Sequence, residues 1–134
     1  MIVVDTNIIG YLYLESQWSV QAEQALFKDA QWATPLIWRS EFRNVLARYI
    51  RNKLLSLGDA LRIMEKALDQ MRDREYDVSS LQVLSLAASS ACSAYDCEFV
   101  ALAQALEVQL VTLDREILNQ FPSISISLSD FVID

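Results

Sequence analysis

The sequence predicts an α/β domain with a mostly parallel central sheet and helices on both of its faces. Three observations carry this. The stretch Met1 to Val4 is a continuous apolar run and Gln109 to Leu113 a mostly apolar one, the pattern of strands buried on both sides. Helical patterns separate the strand candidates, and strand–helix–strand alternation builds parallel sheets. Only two Gly and two Pro interrupt 134 residues that are 53% hydrophobic, so the chain has few loops and one sizeable core.

The elements follow in order. Met1 to Val4 forms the first strand and ends at Asp5; Ile8 to Leu14 then begins a helix. Ser19 to Asp29 is amphipathic, with Val20, Ala22, Ala25 and Leu26 on its apolar side. Gln31 to Thr34 is a short strand. Thr34-Pro35 has the form of a helix start, Thr as N-cap and Pro at the first position, for a helix reaching about Asn52. Trp38, Phe42, Val45 and Tyr49 make its buried stripe. Ser56-Leu57-Gly58-Asp59 is a capping box opening a helix to about Met71, which completes an αα-hairpin turning at Lys53 to Leu57. Tyr76 to Val78 is a short strand. Ser79 or Ser80 caps a helix carrying Leu81, Val83, Leu84, Leu86 and Ala87. Ser93 opens another, with Tyr95, Phe99, Leu102, Ala103 and Leu106 as its stripe. Gln109 to Leu113 is a buried strand ended by Asp114, Arg115 to Phe121 a short helix, and Ile124 to Leu128 alternates like an edge strand. No repeat or linker divides residues 1–134, so they are read as a single domain.

Composition narrows the chemistry. The chain contains no histidine, which excludes Ser-His-Asp and Cys-His catalysis and every histidine-based zinc site. Two cysteines, Cys92 and Cys97, are too few for a structural zinc and are expected as buried thiols of a reducing cytoplasm. No apolar run approaches the roughly 18 residues of a membrane span, and the N-terminus lacks the pattern of a secretory signal. A net charge of −7 argues against a nucleic-acid partner when taken alone. The segment Arg39 to Lys53 departs from it: Arg39, Arg43, Arg48, Arg51 and Lys53 face the single acid Glu41, a local surplus of +4. Any catalysis must come from carboxylates, hydroxyls, Lys/Arg or a hard metal.

Four acids stand out. Asp5 and Asp114 follow the two buried strands, the edge at which open α/β sheets bind ligands. Asp96 opens a helix just upstream of the second strand, and Glu41 lies inside a long helix, on or beside its apolar stripe. Each has an ordinary role to weigh against a catalytic one. Asp5 and Asp114 suit N-caps, Asp96 the acidic half of a capping box with Ser93, and Glu41 an ion pair with Arg48. Jointly those roles weaken, because all four can meet at one sheet edge. Converging carboxylates raise each other's pKa, and a hard divalent ion such as Mg²⁺ or Mn²⁺ relieves the repulsion. Thr6, Asn7 and Thr112 are small polar neighbours suited to orienting the carboxylates. Arg43 and Arg48 are the candidate phosphate contacts.

These pieces match a family. Val4-Asp5-Thr6-Asn7, Ser40-Glu41-Phe42-Arg43-Asn44-Val45-Leu46, Tyr95-Asp96-Cys97-Glu98-Phe99-Val100-Ala101-Leu102-Ala103 and Leu110-Val111-Thr112-Leu113-Asp114 occur in register across nearly the whole chain. Together they make the sequence resemble a PIN domain, more narrowly a VapC-like toxin ribonuclease. The resemblance implies a three-layer α/β/α fold, a homodimer, and Mg²⁺/Mn²⁺-dependent cleavage of single-stranded or looped RNA. It assigns the metal-binding cluster to Asp5, Glu41, Asp96 and Asp114, and it implies a cognate antitoxin lying over the site. Setting those four acids aside leaves a charge of only −3 to oppose RNA.

The resulting expectation is a hydrolytic endoribonuclease. Asp5, Asp96 and Asp114 are metal ligands, and Glu41 is a ligand or the acceptor of the water's proton. Two other classes stay open. One is another metal-dependent phosphoryl-transfer enzyme. Asn7 stands where a haloacid-dehalogenase-like phosphatase needs a second Asp, and a response-regulator receiver needs paired acids before its first helix and a late Lys that are missing here. The other is a non-enzymatic PIN-like binding module, which the intact acids disfavour.

Overall fold

Strand β1 (Ile2–Val4) is the middle of the molecule. In the computed structural model, which describes residues 1–133, it is followed by α1 (Thr6–Tyr13), α2 (Ser19–Lys28), β2 (Trp32–Pro35), α3 (Trp38–Arg51), α4 (Leu57–Met71), β3 (Glu75–Tyr76), α5 (Ser80–Ala88), α6 (Ala94–Leu106), β4 (Leu110–Thr112), α7 (Arg115–Gln120), β5 (Ser125–Ser127) and α8 (Leu128–Val132). The strands form one sheet in the order β3-β2-β1-β4-β5, every pair parallel. Val3 pairs with Ala33 on one side and Leu110 on the other.

The apolar run of β1 is continuous because both faces of the sheet are covered. Successive side chains point to opposite faces. Ile2 and Val4 join the core under α1, α2, α3, α4 and α8, whereas Val3 joins Phe99, Val100, Ala103 and Ile117 beneath α6 and α7. The result is a three-layer α/β/α arrangement of a wholly parallel sheet, with α3 and α4 as the expected αα-hairpin. From β1 the chain winds through β2 to β3, then returns to the other side for β4 and β5. The winding therefore reverses between β1 and β4, which is the crevice where α/β sheets take ligands.

Most boundaries agree with the sequence reading to within two residues. Ser56, Ser79 and Ser93 each cap their helix, accepting from Asp59, Gln82 and Asp96 amides at 3.0, 3.3 and 3.1 Å. β5 is an edge strand, as its alternation predicts. Four expectations need correction. Thr34-Pro35 does not open α3; it completes β2, and α3 begins at Trp38. The amides of Thr34 and Leu36 donate to carbonyls of Arg74 and Tyr76, so the imide nitrogen of Pro35 faces the β1 side, where pairing has already ended at Val3. A missing N–H costs nothing there. Second, Val20, Leu81, Leu84 and Tyr95 are exposed, because α2 and α5 pack along narrower faces than their apolar residues allow and Tyr95 lies on the outer side of α6. Third, Leu46 is buried in α3 while Val45 and Tyr49 are only half-buried. Fourth, α8 was not anticipated, although Ser127 and Asp130 have capping-box spacing and the Ser127 hydroxyl accepts from the Asp130 amide at 3.1 Å. Both cysteines are free and buried, and burial pushes the Cys92 thiol up to about 11.

Candidate active site

The carboxyl ends of β1 and β4 present Asp5 and Asp114 side by side. The Asp5 amide donates to the Val111 carbonyl at 3.1 Å, which fixes its backbone against β4. Thr112, buried at the end of β4, ties the two acids together: its hydroxyl donates to the Asp5 carboxylate at 2.8 Å and accepts from the Asp114 amide at 3.0 Å. Asp114 caps α7 through Oδ1, which accepts from the Ile117 amide at 3.0 Å. Asp5 occupies the N-cap position of α1 without a side-chain capping bond; its carboxylate is turned to Thr112 instead.

The helices bring the other two. Glu41 leans in from the first turn of α3, nearer the helix start than the sequence reading placed it because α3 begins only at Trp38, and its carboxylate accepts from the buried Thr6 hydroxyl at 2.6 Å. Among the described residues it has no ion pair with Arg48. Asp96 lies in the first turn of α6, where its amide is held by Ser93 and the positive end of the helix favours a carboxylate. All four acids line one cleft of about 240 Å³, with Thr6, Asn7, Asn44, Val45 and Arg48.

The electrostatics show mutual strain among these acids. Burial, reinforced by the charges of Glu41 and Asp96, raises Asp5 to about 6 despite the Thr112 hydrogen bond. Burial also lifts Glu41 above the usual carboxylate range; the Thr6 hydroxyl opposes this, and Asp96 and Glu98 add to it. Asp96 is lifted by burial and by Asp114, against the Ser93 hydrogen bonds. Among the described residues Arg48 is the one cationic side chain in the cleft wall. Such a surplus of oxygen donors, without nitrogen or sulfur ligands, is the chemistry that suits a hard divalent cation. Among the described residues no three acids stand close enough to grip an ion in their present rotamers. Asp5 and Glu41 are instead held by threonine hydroxyls, which a cation has to compete with or use as its outer support.

The structure therefore gathers Asp5, Glu41, Asp96, Asp114, Thr6, Asn7 and Arg48 at one place and puts Thr112 directly beneath Asp5. Arg43 is exposed and lies outside the cleft wall. Asn44 and Val45 are cleft residues that the sequence reading did not assign. Their signal was available, since they follow Glu41 by three and four residues on the same helix face. Glu98 was likewise passed over, although its charge acts on Glu41.

Comparison with known proteins agrees with this architecture. The family model for the PIN domain matches residues 2–122. A curated relative, Ribonuclease VapC3 of Pyrobaculum aerophilum, is 29% identical over 126 residues, covering 92% of this chain and 96% of the relative. Among solved structures, a Pyrobaculum aerophilum protein superposes with a TM-score of 0.76 at 20% identity, covering 98% of this chain and 92% of its own. A toxin-antitoxin complex from Klebsiella pneumoniae gives 0.71 at 19% identity, covering 96% and 98%. FitAcB from Neisseria gonorrhoeae gives 0.74 at 15% identity, covering 96% and 99%.

Proposed function

The chain belongs to the PIN domain family, and we propose that it is a metal-dependent endoribonuclease that hydrolyses single-stranded or looped RNA as the toxin of a toxin–antitoxin pair. The observation that carries this is the acid-lined cleft at the reversal between β1 and β4. The name of the VapC3 relative and the Klebsiella complex support the ribonuclease and the antitoxin partner respectively.

In this reading Asp5, Asp96 and Asp114 hold Mg²⁺ or Mn²⁺. The bound ion supplies Lewis acidity toward a phosphate oxygen and lowers the pKa of water. The protein's own groups do the positioning. Thr112 holds the Asp5 carboxylate in one orientation, and the capping bond from the Ile117 amide engages Oδ1 of Asp114, so that Oδ2 is the oxygen left for the ion. Thr6 fixes Glu41, whose raised proton affinity suits it to accept a proton from the attacking water as the phosphorus–oxygen bond breaks. Asn7 supports this wall through its polar amide, and Arg48 offers its guanidinium to the phosphate. Arg43, outside the wall, is left to a flanking phosphate. The protein acts in the cytoplasm as a homodimer, with the antitoxin chain covering the cleft; no described helix is long and apolar enough to cross a membrane.

The test is cleavage of a small-RNA pool with Mg²⁺ or Mn²⁺, beside EDTA, Asp5→Asn and Asp96→Asn. Discrete fragments that fall at least about a hundredfold in all three controls are expected, since losing a metal ligand removes several kcal/mol of transition-state stabilisation. Cleavage by both variants at the parent rate excludes the assignment.

A further inference from the structure

Beside the acid cleft, along the same sheet edge, lies a second pocket of about 330 Å³ that the proposed chemistry does not use. Leu36, where the chain leaves β2, forms one side. Tyr76, at the end of β3, supplies an aromatic wall, and Val83 and Leu84 of α5 complete the apolar lining. Glu98 enters from α6, two residues beyond Asp96, so the same helix contributes one acid to each pocket. Among the described residues the half-buried Glu98 carboxylate has neither a hydrogen-bond nor an ion-pair partner. A carboxylate sheltered among apolar groups is costly unless something donates to it.

Pockets of this size hold small planar ligands, and single-stranded RNA is read by splaying a base out, stacking it on an aromatic ring and bonding its Watson–Crick edge. An ionised carboxylate only accepts hydrogen bonds, and it accepts two side by side. Among the four bases only guanine presents two adjacent donors on that edge, N1–H and the N2 amino group; adenine and cytosine present one amino group and uracil one imino group. We propose that this pocket takes a guanine base next to the scissile phosphate, with Glu98 receiving N1–H and N2–H and Tyr76 stacking on the ring. Asp77, exposed at the rim, keeps phosphates out of the pocket and so leaves it to the base. This inference rests on the ribonuclease reading and specifies its substrate.

The experiment uses the full chain carrying Asp5→Asn, so that RNA is bound and not cut. Binding is measured with seven-nucleotide RNAs of adenines carrying one central guanine, inosine (which lacks the N2 amino group) or adenine. Guanine is expected to bind about tenfold or more tightly than either alternative, the loss of one bond to a charged group. Adding Glu98→Gln replaces one acceptor by a donor and is expected to abolish the preference, read as the ratio of guanine to all-adenine affinity within the same variant; Glu98→Ala serves if the glutamine form does not fold. Equal binding of all three RNAs, a guanine preference that survives both Glu98 changes, or Glu98-dependent binding of an arginine-containing peptide and no RNA overturns the proposal. If the unmodified chain cleaves RNA in metal but without guanine at its cut sites, the pocket assignment fails alone; if it neither binds nor cleaves RNA, the ribonuclease reading fails with it.

Discussion

Thr112 does more at the site than its size implies, because one hydroxyl both donates to Asp5 and accepts from the Asp114 amide. Thr112→Val keeps the shape and removes both bonds. Metal affinity or cleavage is expected to fall about 10- to 100-fold, the usual effect of losing a group that orients a ligand, and a Mn²⁺ titration followed by calorimetry measures it. Asp5 makes a pH prediction. Its folded value of about 6 lies above the ordinary 3.8, so the folded protein holds this proton more tightly than the unfolded chain. Below pH 4 the carboxyl is protonated in both states and folding carries no penalty. As the pH rises through 6 the folded group must ionise in its sheltered position, and stability is lost. Metal-free Asp5→Asn is therefore expected to be more stable than the metal-free parent at pH 8, by up to about 3 kcal/mol, with the gap closing toward pH 4. Denaturant melts in EDTA at the two pH values decide it. Restoring Mn²⁺ is expected to reverse the order at pH 8, since only the parent keeps all its ligands.

At the scale of elements, α3 and α4 show how local rules and packing divide the work. Ser56 caps α4 through the Asp59 amide, and Asp59 in turn pairs with Arg62 on the surface. Ser56→Ala is expected to cost about 1 kcal/mol without changing cleavage, because the cap is remote from the cleft; thermal melts and the RNA assay read the two effects separately. In α3 the apolar stripe of Trp38, Phe42 and Leu46 sets the rotation of the helix, and that rotation aims Glu41 at Thr6. The sequence marked Glu41 as anomalous because a charge on an apolar face needs a reason. It did not distinguish a carboxylate paired with Arg48 from one held by a hydroxyl, since both partners are within reach of a helical position and only the placement of α1 chooses between them. Strand and helix starts were legible where a cap was local, at Ser56 and Ser93. They were misread at Thr34-Pro35, where the same residues suit a helix start and a strand that has lost one neighbour.

At the scale of the molecule, the reversal of winding between β1 and β4 brings together acids separated by more than a hundred positions, Asp5 and Asp114. The hairpin exposes Leu54, Leu57 and Leu61 at 66%, 64% and 57%, an apolar run where a surface helix is normally polar. If the proposed homodimer uses this hairpin, Leu57→Glu with Leu61→Glu is expected to halve the sedimentation mass while leaving the fold intact by circular dichroism. An unchanged mass places self-association elsewhere or excludes it.

What the sequence determined by itself was local: two strands buried on both faces, the spacing of the caps, the absence of histidine, three acids at the ends of elements and Glu41 beside the apolar stripe of a helix. Apolar period, capping spacing and residue chemistry act over one or two turns, so they can be read from the chain. What only the tertiary structure decided was non-local. The order of strands put Asp5 beside Asp114, Thr112 and Thr6 became partners of particular carboxylates, Arg43 and Arg48 were separated, and Glu98 was left facing a pocket. Which face of a helix is covered, and which polar atom meets which, depends on the elements packed against it, and amphipathic pattern alone does not say which neighbour arrives. The exposure of Val20, Leu81, Leu84 and Tyr95 has that same cause.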